Sequence, residues 1–232
     1  MSLICWNYQG LGAPLTGKNL RFLCGKYKPS PVFLMETRVH VRKVDRCRRS
    51  LGFQNKVYVE PVGIGGGLAL WWREGINLEV ILVESNIIHV KVVSGLEPIH
   101  GFISFVYGPP TIQNRRTWWR RLRGLNPRDN VPWLCCGDFN DLLYSFEKEG
   151  GRTRPLRSFE EFQSFMSSCQ LMDLDFKGMR FTWSNNRLEG ANVKERLDRA
   201  LCNGVWRNDC PNAQVQIVVV WALYCEMLRA KW

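Results

Sequence analysis

Apolar residues in this chain come in short runs that stop at a polar residue or a glycine. Leu3–Asn7, Pro31–Glu36 and Trp133–Asp138 are each too short for a helix and end on an oxygen-bearing side chain, as buried strands do where their carboxyl ends meet solvent. Between the first two, Lys18–Tyr27 sets Leu20, Leu23 and Tyr27 on one helical face, so the chain opens as strand, helix, strand. A basic helix over Val41–Leu51 follows. Runs at Gln54–Val59, Leu68–Trp72, Leu78–Val83, Ile87–Val93 and Phe102–Tyr107, separated by short polar turns, predict antiparallel hairpins. An arginine-rich helix over Asn114–Leu125 then leads into the Trp133–Asp138 strand. Ser158 with Glu161 predicts a capping box for a helix over Phe159–Cys169. Leu171–Phe176 is a strand or turn, and Lys194–Leu201 a short helix or an extended segment. No repeat, low-complexity linker or charge break marks a second domain.

The densest candidate chemistry lies in Cys136-Gly137-Asp138-Phe139-Asn140. Period two sends Asp138 and Asn140 the same way. A carboxylate suits a hard divalent cation, and an amide can donate to a phosphate oxygen. Taken alone, Asp-x-Asn after a strand is more often turn chemistry, because both residues bond their own backbone. Glu36 and Asn7 strengthen it, since ligands of α/β folds collect at the carboxyl ends of strands and three such ends can share one cleft. Gly63–Gly67 has the look of a phosphate cradle but lacks the Lys-Ser/Thr and helix of a P-loop, which favours a hairpin loop.

Six motifs then occur in a telling order: Trp6-Asn7-Tyr8-Gln9-Gly10-Leu11-Gly12, Phe33-Leu34-Met35-Glu36-Thr37, Val106-Tyr107-Gly108-Pro109, the Asp138 motif, Phe181-Thr182-Trp183-Ser184 and Arg196-Leu197-Asp198-Arg199. In this order the chain resembles the endonuclease/exonuclease/phosphatase superfamily, and within it the apurinic-type endonuclease domain of plant LINE-type (non-LTR) retrotransposons. The resemblance covers Leu3 to about Gln214. It implies a four-layer α/β sandwich, two mixed, mainly antiparallel sheets face to face with helices outside, and a phosphodiesterase site dependent on Mg²⁺ (or Mn²⁺) acting on DNA. It assigns Glu36 and Asn7 to the metal, Asp138 to the attacking water, Asn140 to a phosphate oxygen and Tyr107 to the vicinity of the scissile phosphate. Asp198 resembles an acid supporting the site or a histidine in it, and Thr182 a polar contact near the DNA. For Thr182 and Tyr107 the competing reading is ordinary strand packing.

The departures carry equal weight. Relatives end in a Ser-Asp-His motif on the last strand, whereas the three histidines here are His40, His89 and His100, all before Asp198. Tyr8 and Gln9 stand where plant relatives usually have cysteine and arginine. The resemblance therefore implies an endonuclease-like domain over 1–214, a divergent tail over 215–232, a last strand altered or missing, and impaired or absent activity. A missing strand would leave its neighbour's backbone unpaired and open an edge prone to association. The competing functions are a non-catalytic basic nucleic-acid-binding remnant and a phosphatase of the same superfamily.

Length and composition fit one large domain: 232 residues, 45% hydrophobic and 12% aromatic. The nine cysteines form no Cys-x-x-Cys clusters, which argues against zinc and, without a signal peptide, for reduced thiols in an intracellular setting, nucleus or cytoplasm. The apolar run Ile217–Cys225 is too short to span a bilayer, so no membrane anchor is expected, and no motif points to a small-molecule cofactor. A formal charge of +11 favours a polyanionic partner. Arg42, Lys43, Arg46, Arg48 and Arg49 form one cluster, Arg115, Arg116, Arg120, Arg121 and Arg123 a second, and Arg152, Arg154 and Arg157 a third. Arg115, Arg116 and Arg120 are the candidate nucleic-acid contacts, against the plainer reading of solvated helix faces. Trp118 and Trp119, at helical spacing, belong to the core before they belong to bases.

Overall fold

A computed structural model describes residues 2–7, 14–63, 65–127, 130–188, 190–220 and 225–231. In chain order it runs β1 (Ser2–Asn7), α1 (Pro14–Tyr27), β2 (Val32–Met35), α2 (Val41–Ser50), β3 (Asn55–Val59), β4 (Leu68–Trp72), β5 (Asn77–Val83) and β6 (Ile87–Ser94). Next come β7 (Phe102–Tyr107), α3 (Ile112–Arg123), β8 (Trp133–Asp138), β9 (Lys148–Glu149), α4 (Glu160–Ser168), β10 (Leu171–Asp173) and β11 (Phe176–Lys177). β12 (Trp183–Ser184), β13 (Lys194–Glu195), β14 (Asp198–Asn203), α5 (Gly204–Asp209), β15 (Gln214–Val220) and β16 (Cys225–Lys231) complete it.

The strands form a seven-stranded sheet ordered β11-β15-β16-β1-β2-β4-β3, a six-stranded sheet ordered β10-β14-β8-β7-β6-β5, and a small sheet β12-β13-β9. Both large sheets are mixed: β1 with β2 and β7 with β8 run parallel, while most other neighbours run antiparallel. Alternation along each strand builds the layers. Leu3 and Cys5 of β1 join Phe33, Phe105 and Cys136 in the core between the sheets, while Ile4 and Trp6 pack outward with Leu20, Leu23 and Val44 of the covering helices. Behind the second sheet Trp118, Trp119 and Leu122 of α3 meet Phe162 and Phe165 of α4. The two tryptophans are thus core, and the four-layer sandwich is complete. No described helix is long and apolar enough to cross a membrane.

Two local expectations change, and two readings left open resolve. The altered C-terminal segment is not a missing strand, because its backbone forms β15 and β16, and β16 pairs antiparallel with β1 from Ser2↔Lys231 to Trp6↔Met227. The divergent 215–232 stretch therefore lies largely inside the sheet, and β1 presents no open edge. A run of β-branched residues in β15 suffices for pairing whatever motif it lacks. The Ser158 capping box does not form: its hydroxyl donates to the Pro155 carbonyl at 2.7 Å, and α4 starts one residue later behind Phe159. Lys194–Leu201 is extended, contributing β13 and the start of β14. Gly63–Gly67 lies in the β3–β4 hairpin connection, with Val62 bridged to Gly65.

Candidate active site

Five strand ends bring the candidate residues to one rim. Register sets Tyr107 of β7 opposite Asp138 of β8, and Asp138 opposite Asp198 of β14. In the other sheet Asn7 lies opposite Met35, the residue before Glu36. The two sheets meet here directly, since the Asp138 backbone N–H donates to the Met35 thioether at 3.4 Å. Asn7 Nδ2 donates to Asp138 Oδ2 at 2.9 Å, and the Asn140 backbone N–H donates to Asp138 Oδ1 at 2.7 Å. Asn140 Nδ2 donates to the Gly108 carbonyl at 2.7 Å, and Tyr107 donates its hydroxyl proton to Glu36 Oε1 at 2.6 Å. Asn7, Asp138 and Asn140 thus form one hydrogen-bonded group and Tyr107 with Glu36 a second, and the Tyr107↔Asp138 register brings the two into one constellation. Of the first motif, Tyr8 through Gly12 lie outside the described residues.

Close backbone approach makes this geometry possible. A Cβ on Gly137 would sit 2.1 Å from the Val106 carbonyl, and one on Gly108 would sit 2.0 Å from the Phe139 carbonyl. The glycines flanking the site in β8 and after β7 let these backbones touch. Glu36, Arg38 and Asn140 all have left-handed backbones, with φ of 52°, 50° and 51°. For residues other than glycine this costs on the order of 1–3 kcal/mol each and persists only when the surroundings enforce it. Here they do: the Gly66 and Gly67 carbonyls accept from the backbones of Arg38 and Thr37 at 3.2 and 3.1 Å. The glycine-rich hairpin braces the turn that aims Glu36.

Burial sets the protonation of the site. It pushes the Asp138 carboxyl up to about 6, reinforced by the nearby Glu36 carboxylate and opposed by the hydrogen bonds from Asn7 and Asn140. An acid at that position is poised to exchange a proton near neutrality. Burial, then the Glu36 contact, drives the Tyr107 phenol far above its ordinary range, so it stays a neutral donor.

Other predicted positions fall differently. Thr182 is buried, and its Oγ1 accepts from the backbone N–H groups of Leu197 and Asp198 at 2.8 and 2.9 Å. It therefore holds the start of β14 and with it the buried Asp198, and it offers no surface to DNA. Arg115 is largely sheltered, donating to Asp141 at 2.8 Å and to the Pro109 and Pro110 carbonyls. Its first task is to pin the loop after β7. Arg116 and Arg120 are exposed. In the first basic cluster Arg48 is buried against Asp45 and the Phe53 and Gln54 carbonyls, so it too is structural. His40 accepts from the Arg42 N–H at the start of α2, His89 is buried beside Ser104, and His100 is exposed. None stands in for the absent C-terminal histidine. β16 starts at Cys225, beside the Asn7 end of β1 through the Trp6↔Met227 pairing, and residues 221–224 lie outside the described residues.

Sequence reasoning passed over Arg38. Its guanidinium pairs with Glu36 Oε2, placing a cation on the very carboxylate assigned to a metal. The Glu36-Thr37-Arg38 adjacency was the available signal. Among the described residues no group of three or more histidines, cysteines, aspartates or glutamates could hold a metal ion. The oxygen-bearing groups at this rim are the Glu36 and Asp138 carboxylates and the Asn7 amide. That set fits Mg²⁺, which keeps several waters and is held by one or two carboxylates plus substrate phosphate.

The sequence matches the model of the endonuclease/exonuclease/phosphatase family over residues 4–215. The chain belongs to that family. Among solved structures, nucleases share its fold over nearly the whole chain. The 3′-5′ exonuclease NExo of Neisseria meningitidis superposes with a TM-score of 0.73 at 14% identity, covering 100% of this chain and 99% of the other. The endonuclease domain of TRAS1, a telomere-specific non-LTR retrotransposon, gives 0.71 at 12% identity, covering 99% and 97%. An AP endonuclease of Archaeoglobus fulgidus gives 0.71 at 15% identity, covering 100% and 99%. Among curated proteins none matches the sequence.

Proposed function

We propose that this family member is a DNA endonuclease-like domain of the non-LTR retrotransposon kind, built for metal-assisted phosphodiester hydrolysis and slow at it. The observation that carries the reading is the gathering at one rim of two hydrogen-bonded groups drawn from both sheets, Asn7 with Asp138 and Asn140, and Tyr107 with Glu36, set side by side by the Tyr107↔Asp138 register. The fold it shares with the TRAS1 endonuclease domain supports the retrotransposon assignment, and the motif wording supports a plant source.

In this mechanism Glu36 and Asn7 would hold a divalent cation. Asn7 also turns its amide nitrogen to Asp138 and so ties that carboxylate to the same corner. Such a cation, Mg²⁺ or Mn²⁺, would supply charge stabilisation on the scissile phosphate when bound. Asp138, as the anion, orients a water and takes its proton as the new P–O bond forms. Asn140 uses one amide N–H to grip the Gly108 carbonyl and has a second for a phosphate oxygen. Tyr107 fixes the Glu36 carboxylate. The leaving oxygen takes its proton from solvent, for no histidine is there to stabilise the departing charge, and losing such a group costs about 10²–10⁴ in rate.

Nicking of supercoiled plasmid with Mg²⁺ tests this. Weak nicking that disappears in Glu36→Ala and in chelator is expected. Vigorous turnover refutes the impairment, and an absence of any Glu36-dependent product favours the second reading, a basic nucleic-acid-binding remnant. Arg38 seated on Glu36 is the observation on the side of that second reading. A phosphatase would instead release inorganic phosphate from small phosphoesters.

A further inference from the structure

Beside the candidate site lies a groove of about 630 Å³ between α3 and the 154–161 segment, with Arg116, Arg154 and Arg157 on its walls and Ile112 and Pro155 among its apolar faces. It begins at the lip of the constellation. Arg115, also in its wall, donates to the carbonyls of Pro109 and Pro110, and the Gly108 carbonyl just before them holds Asn140. Asp141, in the groove wall, directly follows Asn140, so the groove adjoins that corner of the site.

The wall is electropositive and fixed in advance. Arg115 and Arg154 both donate to the same oxygen of buried Asp141, at 2.8 and 2.9 Å. Two guanidiniums therefore share one carboxylate. Glu195, 3.6 Å from Arg154, is itself held by Lys148 at 2.7 Å. Arg116 has only a loose contact with Glu161 at 3.7 Å, and Arg157 is exposed. Cations thus outnumber carboxylates, and the pinned pair loses little side-chain freedom on binding an anion. Ile112 sits in the first turn of α3 with 76% of its surface in water, an apolar face beside guanidiniums.

That combination suits an unpaired nucleotide. A duplex turns its phosphates outward on a convex ridge and keeps its base faces stacked. A single strand can lay a base face on apolar or guanidinium surface while its phosphate meets the arginines. We propose that the groove between α3 and the 154–161 segment binds unpaired single-stranded DNA flanking the scissile phosphate, with Arg116 and Arg157 contacting phosphate and Ile112 a base. The assignment rests on the DNA-acting reading of the chain, but not on its turnover.

The test is anisotropy of a labelled short single-stranded DNA oligonucleotide, and separately of a blunt duplex of the same sequence, in EDTA across a salt series. The groove variant Arg116→Gln/Arg157→Gln is compared with a charge-matched control, Arg21→Gln/Lys91→Gln, whose cations are exposed outside the groove and outside the three basic clusters. The groove variant is expected to bind the single strand about tenfold more weakly, with its log–log salt slope shallower by about 1.4, roughly 0.7 per lost phosphate contact. The control is expected to change by less than about threefold, and Ile112→Ser to weaken single-strand binding at every salt concentration with the slope unchanged. Equal losses in the two charge variants, or an equal loss on duplex, overturn the groove assignment. Plasmid nicking by the same proteins reads the hydrolytic function separately: tight groove-dependent binding without Glu36-dependent nicking defeats that function alone, and nicking with groove-independent binding defeats the groove alone.

Discussion

Removing Arg199 measures how strongly a buried ion-pair network fixes the back of the site. Arg199 follows Asp198 in β14 and has 0% of its surface exposed. Its guanidinium donates to Glu147 at 2.8 and 3.0 Å, to Asp173 at 3.0 Å and to the Arg196 carbonyl at 3.0 Å, and it stacks over Phe162 at 5.0 Å. Arg196 also pairs with Asp173 at 2.9 Å, so two arginines balance two carboxylates. In Arg199→Met the buried Glu147 loses its main counterion. Breaking such a pair from one side costs about 3–5 kcal/mol. Here the remaining Arg196 contact at 3.6 Å and the Leu143 N–H at 2.6 Å favour the lower end, about 3 kcal/mol. For a chain of this size that lowers Tm by about 6–12 °C. Urea denaturation at pH 7 reads the loss, and the double variant Arg199→Met/Glu147→Gln should recover at least about 1 kcal/mol relative to the sum of the singles. The wild type carries its own pH signature. Burial acts to raise the Glu147 carboxyl, but the Arg199 hydrogen bonds and charge outweigh it and hold it below the ordinary range. Its stabilising contribution is therefore full above the ordinary carboxylate pKa and is lost as pH falls through the lower folded value. A single-variant cost under about 1 kcal/mol, or strict additivity, refutes the reasoning.

Three further outcomes are expected. With Asp138 raised to about 6 by burial, its anion penalises folding fully above pH 6 and not at all below the ordinary carboxylate range; in EDTA, Asp138→Asn should gain up to about 3 kcal/mol at pH 8, fading as pH falls to 4. A stability difference indifferent to pH would contradict this. Thr182→Val leaves the Leu197 and Asp198 N–H groups without their acceptor and should cost about 2–4 kcal/mol in thermal denaturation, with Thr182→Ser restoring most of it. Arg38→Ala should tighten Mg²⁺ binding, seen as a larger Mg²⁺-induced rise in Tm than in the wild type, because the ion must otherwise displace the guanidinium from Glu36. An unchanged Mg²⁺ response would show that Arg38 does not compete for the site.

The sequence by itself determined the order of elements and the polar ends of the site strands. Apolar runs that alternate or stop at glycine are decided by local sterics and burial, so β1, β4, β7 and β8 emerged within a residue or so of their observed bounds. The Asp138 motif and Glu36 were legible for the same reason, as was the absence of a histidine after Asp198. Tertiary structure alone decided what each charge and cap does. Arg48, Arg115 and Arg199 are written like any surface arginine, yet distant carboxylates or carbonyls draw them inward. Thr182 turned inward because the Leu197 and Asp198 amides needed an acceptor, and the Ser158 cap lost to a nearer carbonyl. The C-terminal segment found a place beside β1 because strand pairing needs backbone and apolar faces and not a particular motif. Long-range partners carry no local signal, so only the folded chain shows which oxygens and guanidiniums meet.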